Sequence, residues 1–201
     1  MRKEEILKYL KLWGFFYINP RKYTELIKTS LAPSWGLAAA VQRAFMDALL
    51  LYLPIALIGS IPPERSYLHF IATENYYFAL IGLAPIILTL EWLLTASAIH
   101  VLLRLLKYRS SFDTILNISG FGALAIGSIL LLWDWTWILI GGMNQYWLGI
   151  SHLLIDIWGI IIATICFKAI LKVPIWLGLL SNVLGIAVAM PLAIMFMRSP
   201  L

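Results

Sequence analysis

The chain has 201 residues, 62% of them hydrophobic and 12% charged, with a mean hydropathy of +0.89. So few charges cannot cover a water-soluble globule of this length, which excludes a soluble domain and leaves a polytopic membrane protein. The net charge of +5 gathers at the ends of apolar runs, a pattern that suits an anionic bilayer surface and argues against nucleic acid.

The first dozen residues alternate charge with Ile6, Leu7 and Leu10, so no cleavable signal peptide is expected. Residues 2–13 place Ile6, Leu10 and Trp13 at helical spacing, flanked by Lys3, Lys8 and Lys11. A second segment opens with Asn19 as N-cap and Pro20 in the first helical position, where a missing N–H costs nothing. Tyr23, Leu26, Ile27 and Leu31 then share one face, and Arg21, Lys22 and Lys28 take the other. Both segments are too short and too charged to span. The spacing predicts an arm over residues 1–34 whose amphipathic helices lie on anionic headgroups, with a solvated helix pair as the alternative. Ala32, Pro33 and Ser34 end it.

Residues 35–201 read as an all-α helical bundle of five transmembrane spans, at about 38–58, 77–106, 114–133, 148–170 and 175–197. In the first span Arg43 and Asp47 stand one turn apart near the inner end, where they can neutralise each other or reach the headgroups. Pro62 and Pro63 end that span, and the loop over 59–75 carries Glu64, Arg65 and Glu74. The second span contains Pro85, a potential kink, and Glu91 near its middle, where an unpaired carboxylate is costly and is either a functional group or an interhelical hydrogen-bond donor. Nine residues separate Glu91 from His100, so the two face opposite directions and cannot share one ion.

The connector with Arg104, Lys107 and Arg109 leads into the third span, which has Asn117 near its inner end and Gly120, Gly122 and Gly127 for close helix approach. Trp133, Asp134, Trp135, Thr136 and Trp137, then Gly141, Gly142, Tyr146 and Trp147, are expected to form an aromatic connector at the outer interface. In the fourth span His152 and Asp156 lie one turn apart, a pair able to relay a proton or orient an imidazole. The fifth span follows Lys168, Lys172 and Pro174 and carries Gly178, Ser181 and Gly185 beside Asn182. The single cysteine, Cys166, permits no internal disulfide.

Thirteen of the fifteen Lys and Arg residues fall on one side of this five-span scheme, leaving Arg65 and Arg198 on the other. The positive-inside rule then places the chain in a cell membrane with its amino end in the cytoplasm and its carboxyl end outside. A basic start with Asn19, Pro20, Arg21 and Tyr23, the run Ile99 to Arg104, the segment Ser110 to Thr114 and the run Ile157 to Ile160 together resemble the Yip-domain family of Ypt/Rab-interacting-type membrane proteins. The resemblance covers residues 13–197 and implies five spans in the same orientation. Family members of the eukaryotic type associate with Rab GTPases. The short arm here departs from them and is similar to the prokaryotic type.

Two function classes follow. One is a non-catalytic scaffold or accessory subunit of a membrane protein complex, using glycine-lined faces and a basic inner surface. The other is a small transporter or ion-conducting protein using Glu91, His152 and Asp156. The sequence carries no HExxH, GxSxG or phosphate-binding loop, so neither enzyme activity, a metal nor a cofactor is expected.

Overall fold

A computed structural model describes residues 3–30, 34–62, 67–141 and 145–196. Arg2, Leu31, Ala32, Pro33, Pro63, Glu64, Arg65, Gly142 and Arg198, all used in the sequence reading, lie outside the described residues. Among the described residues every regular element is helical. Helices α1 (Lys3–Ile18) and α2 (Pro20–Ser30) precede α3 (Ser34–Asp47), which continues through a π-helical turn (Ala48–Tyr52) into α4 (Leu53–Leu57). A 3₁₀ turn (Thr73–Asn75) then leads into α5 (Tyr76–Leu105), followed by α6 (Phe112–Ile140), α7 (Gln145–Leu171) and α8 (Ile175–Phe196).

Five of these stretches are long and apolar enough to cross a membrane, at Trp35–Leu57, Thr73–Leu105, Phe112–Ile140, Tyr146–Leu171 and Ile175–Phe196. The third is longer than its expected 114–133. The Trp133–Trp137 segment is not a connector but the last turns of α6, which ends only where Gly141 takes a left-handed φ of 67°. The π-helical turn in the first span has a local cause. Pro54 has no N–H to donate to the Leu50 carbonyl four residues back, and the Trp135 indole N–H of α6 donates to that oxygen instead, at 2.7 Å.

Helix α3 lies against α6 on one side and α5 on the other, while α8 joins α5 to α7. The α3–α6 approach is backbone to backbone. A Cβ on Gly120 would meet the Gly36 carbonyl carbon at 2.8 Å, and one on Gly36 would meet the Asn117 Cα at 2.7 Å. There the Gly36 N–H, one of the first-turn donors that a helix leaves unpaired, donates to the Asn117 side-chain carbonyl at 2.7 Å. The Asn117 amide donates back to the Asp113 carbonyl at 2.9 Å.

The amino-terminal arm is part of the bundle. Tyr9, Leu12, Phe16, Tyr23 and Ile27 are buried in the same core as Ile115, Phe121, Leu124, Cys166 and Phe167. The expected stripe of Ile6 and Leu10 faces outward, at 46% and 50% exposure, so α1 has two apolar faces, one on the protein and one free for lipid. Tyr17 donates to the Ala125 carbonyl at 2.5 Å and stacks on Trp158, about halfway along α6 and α7. Burial in this core pushes the Tyr9 phenol up to about 12 and the Tyr23 phenol well above its ordinary value.

Candidate functional site

Charged groups from α3, α5 and α6 gather around Arg43. Its guanidinium pairs with Asp47 one turn on in α3 and interacts electrostatically with Glu91 of α5, Asp134 of α6, and the phenols of Tyr17 and Tyr52. Space for it is made by Gly127, where any Cβ would overlap the guanidinium stem. Because Gly127 lies fifteen residues into α6, or about 22 Å along its axis, the Arg43–Asp47 pair is deep in the bundle. The sequence reading placed that pair near the inner end of its span. A glycine on the facing helix, in place of a headgroup, receives the charge.

Asp134 extends the cluster to α7, its Oδ1 lying 2.8 Å from His152 Nε2, an ion-pair distance without hydrogen-bond alignment. The adjacent pair holds the same seam, with the Trp133 indole donating to Ser151 Oγ at 2.7 Å. The carboxylate nearest His152 is therefore Asp134 on another helix, while Asp156 of its own helix acts on it only through space. Three carboxylates thus surround one guanidinium and one imidazole, contributed by four helices. One oxygen of Glu91 is buried without a hydrogen-bond partner.

The chain was compared with family models, curated proteins and solved structures. None matched.

Asp156 and Asn182, both singled out from the sequence, do come together. They line a cavity of about 290 Å³ among α5, α6, α7 and α8, with Thr95 and Ser119 as the other polar groups and Phe16 of the arm at its wall. Asn182 is already engaged, donating to Thr164 Oγ1 at 3.2 Å and to the Gly178 carbonyl at 2.9 Å. Asp156 is exposed on the cavity side. The remaining candidates are elsewhere. His100 Nδ1 lies 3.2 Å from Ser110 Oγ and its ring sits 5.3 Å from that of Phe112, so it ties the α5–α6 connector to α5, far from Glu91 along the helix. Asn117 is consumed in the α3–α6 seam.

Among the basic candidates, Lys28, Arg109 and Lys172 line one cavity of about 570 Å³ at a single end of the bundle. Lys8, Lys11, Arg21, Lys22, Arg104 and Lys107 are exposed, and Lys22 reaches over the Phe15 ring at 5.6 Å.

Asp134 is the residue that sequence reasoning missed as a site. The signal was present: Gly120, Gly127 and Asp134 recur every seven residues and so share the face of α6 that meets α3. The tryptophans around Asp134 drew the reading toward an interfacial belt instead.

Proposed function

We propose that this is a non-catalytic integral membrane protein, a scaffold or accessory subunit of a membrane protein complex, with its amino end in the cytoplasm and its carboxyl end outside. The observation that carries this reading is how the charged side chains of the spans are used. Asp134 of α6 with His152 of α7, and Arg43 of α3 seated against Gly127 of α6 with Asp47 of its own helix beside it, hold helices of this chain to one another, and so fix the bundle as one body. Charged contacts between helices specify an arrangement more than they add stability. The Yip-domain resemblance at Asn19–Pro20–Arg21, Ile99–Arg104, Ser110–Thr114 and Ile157–Ile160 points to the same class. Partners in this reading are other membrane proteins and the anionic headgroups beside Lys8, Lys11, Arg21 and Lys22.

A second reading, a small proton- or cation-conducting protein, is favoured by one feature: the exposed Asp156 carboxylate in its cavity, in a bundle that also holds a buried Glu91 oxygen without a hydrogen-bond partner. Proteoliposomes separate the two. The scaffold reading expects proton and monovalent-cation flux no greater than in empty vesicles, and Glu91→Gln with the thermal stability and complex retention of wild type. Flux that Glu91→Gln or Asp156→Asn abolishes, with stability intact, overturns it in favour of transport, since an amide cannot ionise.

A further inference from the structure

The cavity formed by Lys28, Arg109 and Lys172 is not used by the reading above and stands independently of it. These three cations come from the last turn of α2, the α5–α6 connector and the α7–α8 connector, so only the folded chain brings them together. Ser111 and Thr114 add hydroxyls, Ile27 and Ile170 give an apolar floor, and no carboxylate lines the space. Ser111 is the N-cap of α6, yet its hydroxyl makes no capping hydrogen bond and is left to face other acceptors or donors. Three like charges around one cavity repel one another unless an anion sits between them.

Lys172 holds a left-handed φ of 55° where α7 ends, as Lys107 does with a φ of 63° where α5 ends, a conformation that disfavours any residue with a Cβ. Glycine would end α7 there more comfortably. A lysine in this position favours the helix C-terminus by its charge and also brings that charge to the cavity.

We propose that Lys28, Arg109 and Lys172, with the hydroxyls of Ser111 and Thr114, form a stoichiometric site for a phosphate group, supplied by the headgroup of an anionic phospholipid. Its arginine fits a phosphate through paired N–H donors, and its lysines act as point charges. The apolar floor beside the charges suits the glycerol and upper acyl region of a lipid better than it suits a free ion. This differs from diffuse attraction of the arm to a charged surface, because it requires three particular residues and one ligand per chain.

The test is native mass spectrometry of the full chain in mild detergent, titrated with phosphatidylglycerol, phosphatidylcholine or inorganic phosphate. In phosphatidylcholine the same phosphate carries its own cation, which makes it the matched control. One phosphatidylglycerol should be retained per chain, at a concentration about tenfold below that needed for phosphatidylcholine. Lys28→Gln/Arg109→Gln/Lys172→Gln should lose that preference, while Lys3→Gln/Lys8→Gln/Lys11→Gln, with the same loss of charge, should keep it. Lys172→Gly guards against misfolding: it should weaken lipid retention several-fold while leaving thermal stability equal or higher, because glycine accepts the left-handed turn. Inorganic phosphate that saturates the site below the lipid's concentration, and is lost in the first triple variant only, keeps the phosphate site but assigns it to a free ion. Equal weakening by both triple variants, or equal retention of phosphatidylcholine, overturns the proposal.

Discussion

The α3–α6 seam and the α5–α8 seam both rest on glycine, but they are built differently. At the first, Gly36 and Gly120 bring two backbones together, Asn117 supplies a hydrogen bond across the crossing, and Gly127 takes in the Arg43 guanidinium. At the second, Gly185 faces the Thr95 side chain, with a hypothetical Cβ 2.6 Å from Thr95 Cγ2, and the Thr95 hydroxyl donates to the Gly185 carbonyl at 3.2 Å. Much of α8 is exposed, from Leu179 and Val183 to Met190 and Ile194, so that helix can shift outward. Lipid tails are as apolar as leucine, so helices in a membrane associate through close packing and polar contacts, not through exclusion of water. The first seam uses both through two main chains, and the second uses a side chain against a helix whose outer face is free.

That contrast is broken most directly at Gly120. Gly120→Val places a β-branched side chain where the Gly36 backbone already lies, and neither main chain can move without disturbing Asn117. Overpacking of this kind costs about 3 kcal/mol or more, so the variant should fail to fold or lose most of its thermal stability in detergent. Wild-type stability for Gly120→Val would mean that α3 and α6 do not cross at Gly36.

Asn117→Ala comes next in size. It leaves the Gly36 N–H buried without its acceptor, a loss of about 1–3 kcal/mol for an unsatisfied donor. Asn117→Asp keeps an acceptor at the same place and should recover part of the stability only at acidic pH, where the carboxyl is neutral. A smaller effect is expected at the second seam. Gly185→Ala should cost about 1 kcal/mol, because the free outer face of α8 lets that helix give way where the Gly36 and Gly120 main chains cannot. Chemical denaturation of the two alanine variants side by side measures the contrast, and equal losses would erase it.

The five spans were legible from hydropathy alone, and so was the helical nature of the arm, because runs of apolar residues report length and class without reference to neighbours. Which faces meet was not. A helix that is apolar all round has no polar side to give its orientation away, and so Asp134 was read as part of an aromatic belt although it points toward Arg43 and His152. The same held for α1. Ile6 and Leu10 were legible as a stripe for lipid, while Tyr9, Leu12 and Phe16, on the side that packs into the core, were hidden among equally apolar neighbours. Gly120 and Gly127 of α6 and Gly178 and Gly185 of α8 are close-approach sites as expected, while Gly122 meets only the Phe16 ring at ordinary contact distance. Their partners are helices of the same chain, Gly36 and Arg43 of α3 and Thr95 of α5, so these faces are occupied before any second protein arrives.

The smallest expected effect isolates the hydrogen bond at the yielding seam. Thr95→Val keeps the branched shape that meets Gly185 and removes only the hydroxyl, which donates to a carbonyl at a long 3.2 Å. The Gly185 carbonyl lies inside α8, where the helical ladder supplies a donor, so the loss leaves no group unsatisfied. Interhelical hydrogen bonds in membranes contribute about 0.6 kcal/mol on average, and this long one should contribute no more. Thr95 also borders the cavity that holds Asp156. If Thr95→Val lowers stability by as much as Asn117→Ala, then the α5–α8 seam is as fixed as the α3–α6 seam, and the freedom assigned to α8 is wrong.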